Sequence, residues 1–299
     1  MSTITANDYN NLRDSVNLVM GTGASGYGQA LVSAPVNAGQ IFTLAMWNNL
    51  RTDMIKARQH QTGVNESGNL DVVTVDSIID DAFFAQYTNF ISLITTNQRV
   101  IANNQATLQV LATQTRSSAW NGLLTHTVTL TFGSSLQARY FFNAGGQIRF
   151  TASRTGAAAT SKDTDWTNIL SSMGTISMNY NSTSFLAGGS GTGSSKGFYN
   201  LTTTYQTLYL KGSSVYAYTE NDYNIAARVD NATNPTSVVF KIEFRDDDTG
   251  DWPKPLSPLR GPKVDESITG TLTSTVSMFR PSGQNVSVNG PSASQSALA

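Results

Sequence analysis

The chain contains no cysteine. Disulfides, thiolate nucleophiles and cysteine-ligated metals are therefore excluded. Histidine is nearly absent too: His60 and His126 are the only two, far apart in sequence. A histidine-rich metal site or a His-based triad is not expected, although one catalytic histidine remains open. Charge is also scarce. Only 13% of the 299 residues are charged and the formal net charge is -1, whereas soluble proteins usually carry about 25% charged residues. Ser, Thr, Asn, Gln and Gly must supply the polar surface. Such a surface repels itself weakly and suits packing into a larger assembly. It also lacks the positive charge that binding to phosphate backbones needs, so no nucleic-acid partner is expected. No apolar run approaches about 18 residues, so no membrane insertion is expected. Met1-Ser2-Thr3-Ile4-Thr5 offers neither a basic region nor an apolar run, and no secretory leader is expected.

Several helices are legible. Thr5 is an N-cap, Asp8 its capping-box partner, and Ile4 with Tyr9 a hydrophobic staple. Tyr9, Leu12, Val16 and Val19 form one apolar stripe, stopped by Gly21 and Gly23. The device recurs. Thr43 precedes a second helix, and Tyr9-Asn10-Asn11-Leu12-Arg13 matches Trp47-Asn48-Asn49-Leu50-Arg51 in register. Both helices are too short to stand alone. A third is expected with Asp76 as N-cap and Ile79, Phe83, Tyr87, Ile91 and Ile94 at helical spacing. Part of Arg99–Arg116 also reads as helix.

From Trp120 the period changes to two. Thr125–Phe132 alternates, Leu136–Phe142 reads as a second strand, Asn143–Gly146 as a turn and Gln147–Ala152 as the return strand. A short helix follows Asp163. Further strands are expected at Thr175–Tyr180, Tyr205–Leu210, Val215–Tyr218, Asn224–Val229, Val238–Phe244 and Ile268–Met278. The expected fold is α+β: a helical N-terminal part followed by an antiparallel β-sandwich-like domain. Its expected divisions are a helical docking region (1–63), a helical connector (64–120), the sandwich (121–280) and a flexible tail (281–299). Gly188–Gly197 and Trp252–Pro262 read as loops.

Few motifs carry chemistry. The Gly21–Gly28 loop lacks the Gly-Lys-Ser/Thr of a phosphate cradle and follows a helix, so it reads as a turn or a surface for a partner. Asp246, Asp248 and Asp251 lie in an acidic loop that calcium could favour, but the spacing is not that of an EF-hand. Asp76, Asp80 and Asp81 fit helix-start electrostatics better than an acid pair. His126 fits a half-buried sheet position better than a base. No cofactor is expected. Tyr205, Tyr209, Tyr216, Tyr218 and Tyr223 crowd one stretch, which suits either a sugar-contacting surface or a sheet core.

Three segments carry a resemblance. They are Tyr27-Gly28-Gln29, Trp47–Arg51 with His60-Gln61-Thr62-Gly63, and Arg139-Tyr140-Phe141-Phe142-Asn143-Ala144-Gly145-Gly146-Gln147-Ile148-Arg149-Phe150. They resemble segments of virion structural proteins of tailed bacteriophages, chiefly those of marine and cyanobacterial phages with contractile tails. The resemblance implies a tail, neck/collar or fibre component, present in several symmetric copies (a trimer or a ring), with other virion proteins as partners and assembly in the host cytoplasm. It implies no catalytic residue. Tyr27, Gln29, Trp47, Arg51 and Phe141 are the expected assembly contacts. The alternative is a module that binds a host receptor or surface glycan. An envelope hydrolase is a third reading, without a carboxylate pair to support it.

Overall fold

The computed structural model describes residues 4–158, 160–248, 250 and 265–299. The fold is α+β, with helices first and two antiparallel five-stranded sheets after them. The chain divides into two compact units. One comprises Met1–Leu108, Ser134–Gly146 and Phe279–Gly290; the other comprises Gln109–Gly133, Gln147–Met278 and Pro291–Ala299.

The first unit holds α1 (Ala6–Met20), α2 (Leu44–Thr62), α3 (Asp81–Thr96) and α4 (Ser135–Asn143). Thr5 and Asp8 form the complete capping box of α1, and Thr43 caps α2 by accepting from the Met46 amide. The stripe Tyr9, Leu12, Val16 and Val19 is buried. Asp80 caps α3 in place of Asp76, accepting from the Phe83 amide. Asp76 instead takes a positive φ of 73°, a turn conformation that short polar side chains tolerate.

The segment expected as a strand at Leu136–Phe142 is α4. Ser134 accepts from the Gln137 amide and starts it, and a seven-residue apolar-polar run does not settle its own period. Gly145, at φ 81°, follows its end. The helix expected within Arg99–Arg116 is absent. A single 3-10 turn at Asn103–Gln105 leads into β1 (Ala106–Arg116), whose Thr and Val favour extended backbone.

The second unit is a sandwich of two sheets. Besides β1 they contain β2 (Gly122–Thr131), β3 (Gln147–Thr155), β4 (Ile176–Met178), β5 (Thr183–Phe185), β6 (Gln206–Gly212), β7 (Asp222–Val229), β8 (Ser237–Asp246), β9 (Thr271–Pro281) and β10 (Ser292–Gln295). The strand orders are β1-β9-β3-β4-β5 and β10-β2-β8-β7-β6. Leu124, His126, Val128 and Leu130 alternate inward on β2, as do Val238, Phe240, Ile242 and Phe244 on β8. Phe150 of one sheet meets Phe240 of the other at 5.0 Å between ring centroids. Helix α5 (Ser161–Met173) starts at Thr160, whose side chain accepts from the Asp163 amide.

Two further expectations are corrected. Val215–Tyr218 is no strand; Tyr216–Tyr218 forms a 3-10 turn between β6 and β7. Residues 281–299 are no free tail. Val286, Val288 and Leu298 are buried, and β10 pairs with β2 from Ser292↔Thr131 to Gln295↔Val128. The larger apolar residues of this polar segment are spaced so that each reaches a core. Gly188–Gly197, expected as a loop, is one, held by bridges from Ser194 to Thr183 and from Thr192 to Leu210. The passage Trp252–Pro262 and Asp251 lie outside the described residues.

Candidate functional site

The five expected contact residues sit within the first unit. Tyr27 is fully buried; its hydroxyl donates to the Gln98 carbonyl and accepts from Gln61 Nε2 at 3.2 Å. Burial pushes its pKa well above the usual phenol range. Gln29 is half-buried and donates to the carbonyls of Tyr27 (2.9 Å) and Ser287 (3.2 Å). Trp47 meets Tyr9, Phe83 and Tyr87 edge-on at 5.3, 5.6 and 5.7 Å. Phe141 is fully buried against Phe142. Arg51 donates to the carbonyls of Leu70 (2.9 Å) and Ser67 (2.5 Å). All five side chains thus make contacts inside the chain.

The repeated pentapeptide has a repeated job. Asn10 grips the backbone of Val36 from both sides, donating to its carbonyl at 2.8 Å and accepting from its amide at 2.9 Å. Asn48 does the same to Val73, at 2.9 and 3.2 Å. Arg13 donates to the Ser33 carbonyl as Arg51 does to that of Leu70. Each helix therefore straps down the extended segment that follows it. An Asn side chain has one donor and one acceptor face, matching a backbone amide and carbonyl.

That strapping leaves apolar side chains outward. Ile41 and Leu44 flank the start of α2; Val72, Val75 and Ile78 lie on the second strap, just before α3. Ile41 is 83%, Val75 73% and Ile78 66% exposed. The Trp47–Phe83 contact brings the starts of α2 and α3 together. The same stretch has no Lys or Arg between Arg58 and Arg99, while Asp71, Asp76, Asp80 and Asp81 are acidic; Glu66 is paired with Arg58. The result is an aliphatic surface with an acidic rim.

The acidic loop after β8 carries a different chemistry from the one its sequence suggests. Lys162, its side chain 1% exposed, places Nζ 3.1 Å from Asp246, 3.2 Å from Asp248 and 2.6 Å from Asp265. Burial works against the ammonium, but the three carboxylates outweigh it and hold its pKa above the ordinary range. Burial raises Asp246 to about 6 against the opposing pull of Lys162. The cation between these carboxylates is the chain's own, which displaces the metal reading for Asp246 and Asp248; among the described residues no group of three His, Cys, Asp or Glu is arranged to hold an ion. Beside it, Arg154 pairs with Asp163, and Asp163 accepts from Thr269. Lys162 and Asp265 escaped sequence reading because they lie 84 and 19 residues from Asp246, with no shared motif.

His126 is fully buried, with Nδ1 2.9 Å from Ser274 Oγ and Nε2 3.0 Å from Gln295 Oε1. Ser274 is fully buried too, so the pair is closed to solvent. The tyrosine group disperses: Tyr209 and Tyr223 are core and Tyr218 is 7% exposed, whereas Tyr216 is open to solvent and Tyr205 lies under Arg228 and Lys241. Compared with known proteins, the chain matches no family model, no curated protein and no solved structure.

Proposed function

We propose that the chain is a structural subunit of a bacteriophage virion, a tail, neck/collar or fibre component that works through protein–protein contacts. The observation that carries this is the exposed aliphatic surface at the starts of α2 and α3. Monomeric proteins rarely leave several large aliphatics open beside one another without a partner. Its acidic rim selects a neighbouring subunit that presents aliphatic side chains flanked by Lys or Arg. The resemblance of Tyr27–Gln29, Trp47–Arg51 with His60–Gly63, and Arg139–Phe150 to virion proteins supports the same reading. So does the low charge, which favours dense packing of copies.

Immunogold labelling of intact and partly denatured particles with antibody to this chain tests the location. Label on the tail, neck or fibres is expected; two blanks overturn the reading. The surface itself is tested by Val75→Ser with Ile78→Ser. Both side chains are exposed, so the melting temperature should hold while incorporation into particles falls. Undiminished incorporation would remove this face as the contact.

A further inference from the structure

We propose that the free edge of β1 is a self-association edge: two copies of this chain join by pairing their β1 strands antiparallel across a two-fold axis. The inference uses a surface apart from the starts of α2 and α3, and it holds or fails without the virion reading. Among the described residues β1 ends its sheet, with β9 beside it and no strand beyond. Its 11 residues span roughly 37 Å. A strand in that place presents a row of backbone N–H and C=O groups without a strand partner.

Sheet edges are usually kept from pairing by charge, by proline or by a covering segment. From Ala106 to Thr115 this strand holds no charged residue, no proline and no glycine. Thr107, Leu108, Gln109 and Val110 are all exposed. Successive strand residues point to opposite faces, so four exposed in a row leave both faces of the strand open. Leu108 and Val110, on one of those faces, are 58% and 61% exposed. A lone chain with such an edge invites open-ended aggregation, whereas a closed two-fold pair consumes the edge.

The other sheet ends make a second β1 the matching occupant. Strand β5 has three residues, and its Thr183 also bridges Ser194. On β6, Leu210 bridges Thr192. Strand β10 has four residues. Among the described residues only β1 offers a long open edge, and without charge it meets its own copy free of like-charge repulsion. An axis at Gln109 sets Leu108 of one copy opposite Val110 of the other and Ala106 opposite Ala112, so the exposed aliphatics of both copies gather on one face. Thr113, whose carbonyl already accepts from Gln295 Nε2 at 3.3 Å, lies beyond the paired stretch.

Sedimentation velocity on the full chain at tens of micromolar tests the association. A species of twice the 32.1 kDa of one chain is expected. Leu108→Lys with Val110→Lys puts charge on the edge and should give a single chain with an unchanged circular-dichroism spectrum, since both side chains are exposed. Because the chain has no cysteine, single cysteines read the register directly. Gln109→Cys, at the axis, brings two Cα atoms within the roughly 4.4–6.8 Å that a disulfide spans, and should crosslink on mild oxidation. Thr115→Cys, whose two copies lie roughly 40 Å apart, should not. The crosslinks decide even if the double lysine variant misfolds. A monomer, a trimer or larger ring, a folded lysine variant that stays dimeric, failure of Gln109→Cys to crosslink, or equal crosslinking at both positions would overturn the proposal. None of these outcomes bears on the virion reading, which particle labelling decides.

Discussion

At the scale of single residues, Asn10 and Asn48 do the most for their size. Each replaces a strand partner for one valine and satisfies a donor and an acceptor of the following segment. Asn48→Ala should cost about 1–3 kcal/mol, because two hydrogen bonds go and the Val73 backbone loses its partners. Urea titration measures it, and the second clamp, in Asn10→Ala, should cost a similar amount independently. His60 gives a signed pH effect. Its ring is buried, with Nε2–H donating to the Ala144 carbonyl at 2.8 Å, and burial lowers its pKa to about 4. The unfolded chain, near 6.5, therefore binds the proton first. Stability is full above about pH 6.5 and is lost as pH falls toward 4, by on the order of 3 kcal/mol. Melting temperatures of the wild type should drop between pH 7 and 4.5 more steeply than those of His60→Gln. Equal slopes would show that His60 does not carry the effect. Asp246, raised to about 6, contributes with the opposite sign, which is why the comparison rests on the His60 variant.

At the scale of elements, the Gly-rich loop after α1 is set by close approach. Gly28 has φ 75°, and a Cβ there would fall 2.4 Å from the Tyr140 ring of α4. Gly28→Ala should therefore destabilise by roughly 1–3 kcal/mol through positive φ and overpacking, read as a lower urea midpoint. The glycine run was legible as a turn; its packing role was not, because Tyr140 lies more than a hundred residues on. The C-terminal strand is a second case. Removing residues 291–299 deletes β10, opens the edge of β2 and takes Gln295 from His126 and Leu298 from its buried place. A chain ending at Gly290 should melt lower and aggregate on heating, since an unpaired edge invites other strands; an unchanged melt would show that β10 adds nothing. Composition alone suggested a loose tail, since Ser, Gly and Asn predominate there.

At the scale of the whole molecule, neither compact unit is one continuous stretch of chain. The β unit draws on residues from 109 to the C-terminus, and α4 within that span belongs to the helical unit. A fragment cut as 121–280 thus lacks β1 and β10 while retaining α4 without the helices of its own unit. It should show no cooperative melt by circular dichroism, whereas the full chain should. A sharp transition in the fragment would mean that the missing strands are dispensable. The surface follows the same logic: with few charges, its features are local, such as the exposed aliphatics near the starts of α2 and α3.

Sequence by itself determined whatever depends on neighbours within one or two turns. Helices α1 and α2, their Thr caps and the repeated Tyr/Trp-Asn-Asn-Leu-Arg start are set by short-range hydrogen bonds and a 3.6-residue stripe. The strands from β6 to β9 are set by alternation and β-branched residues. The α+β class follows from those two periods in that order. Tertiary structure alone decided the rest. It made Leu136–Phe142 a helix, because a short apolar run takes the form its surroundings can bury. It turned an acidic loop into the cradle of Lys162, since a buried ammonium requires partners from wherever the chain can bring them. It sent Tyr27, Trp47 and Phe141 inward and left Ile41, Val75 and Ile78 outward. Side-chain type states what a residue can bury. Only the packing of distant segments settles which apolar groups find room inside and which remain for a partner.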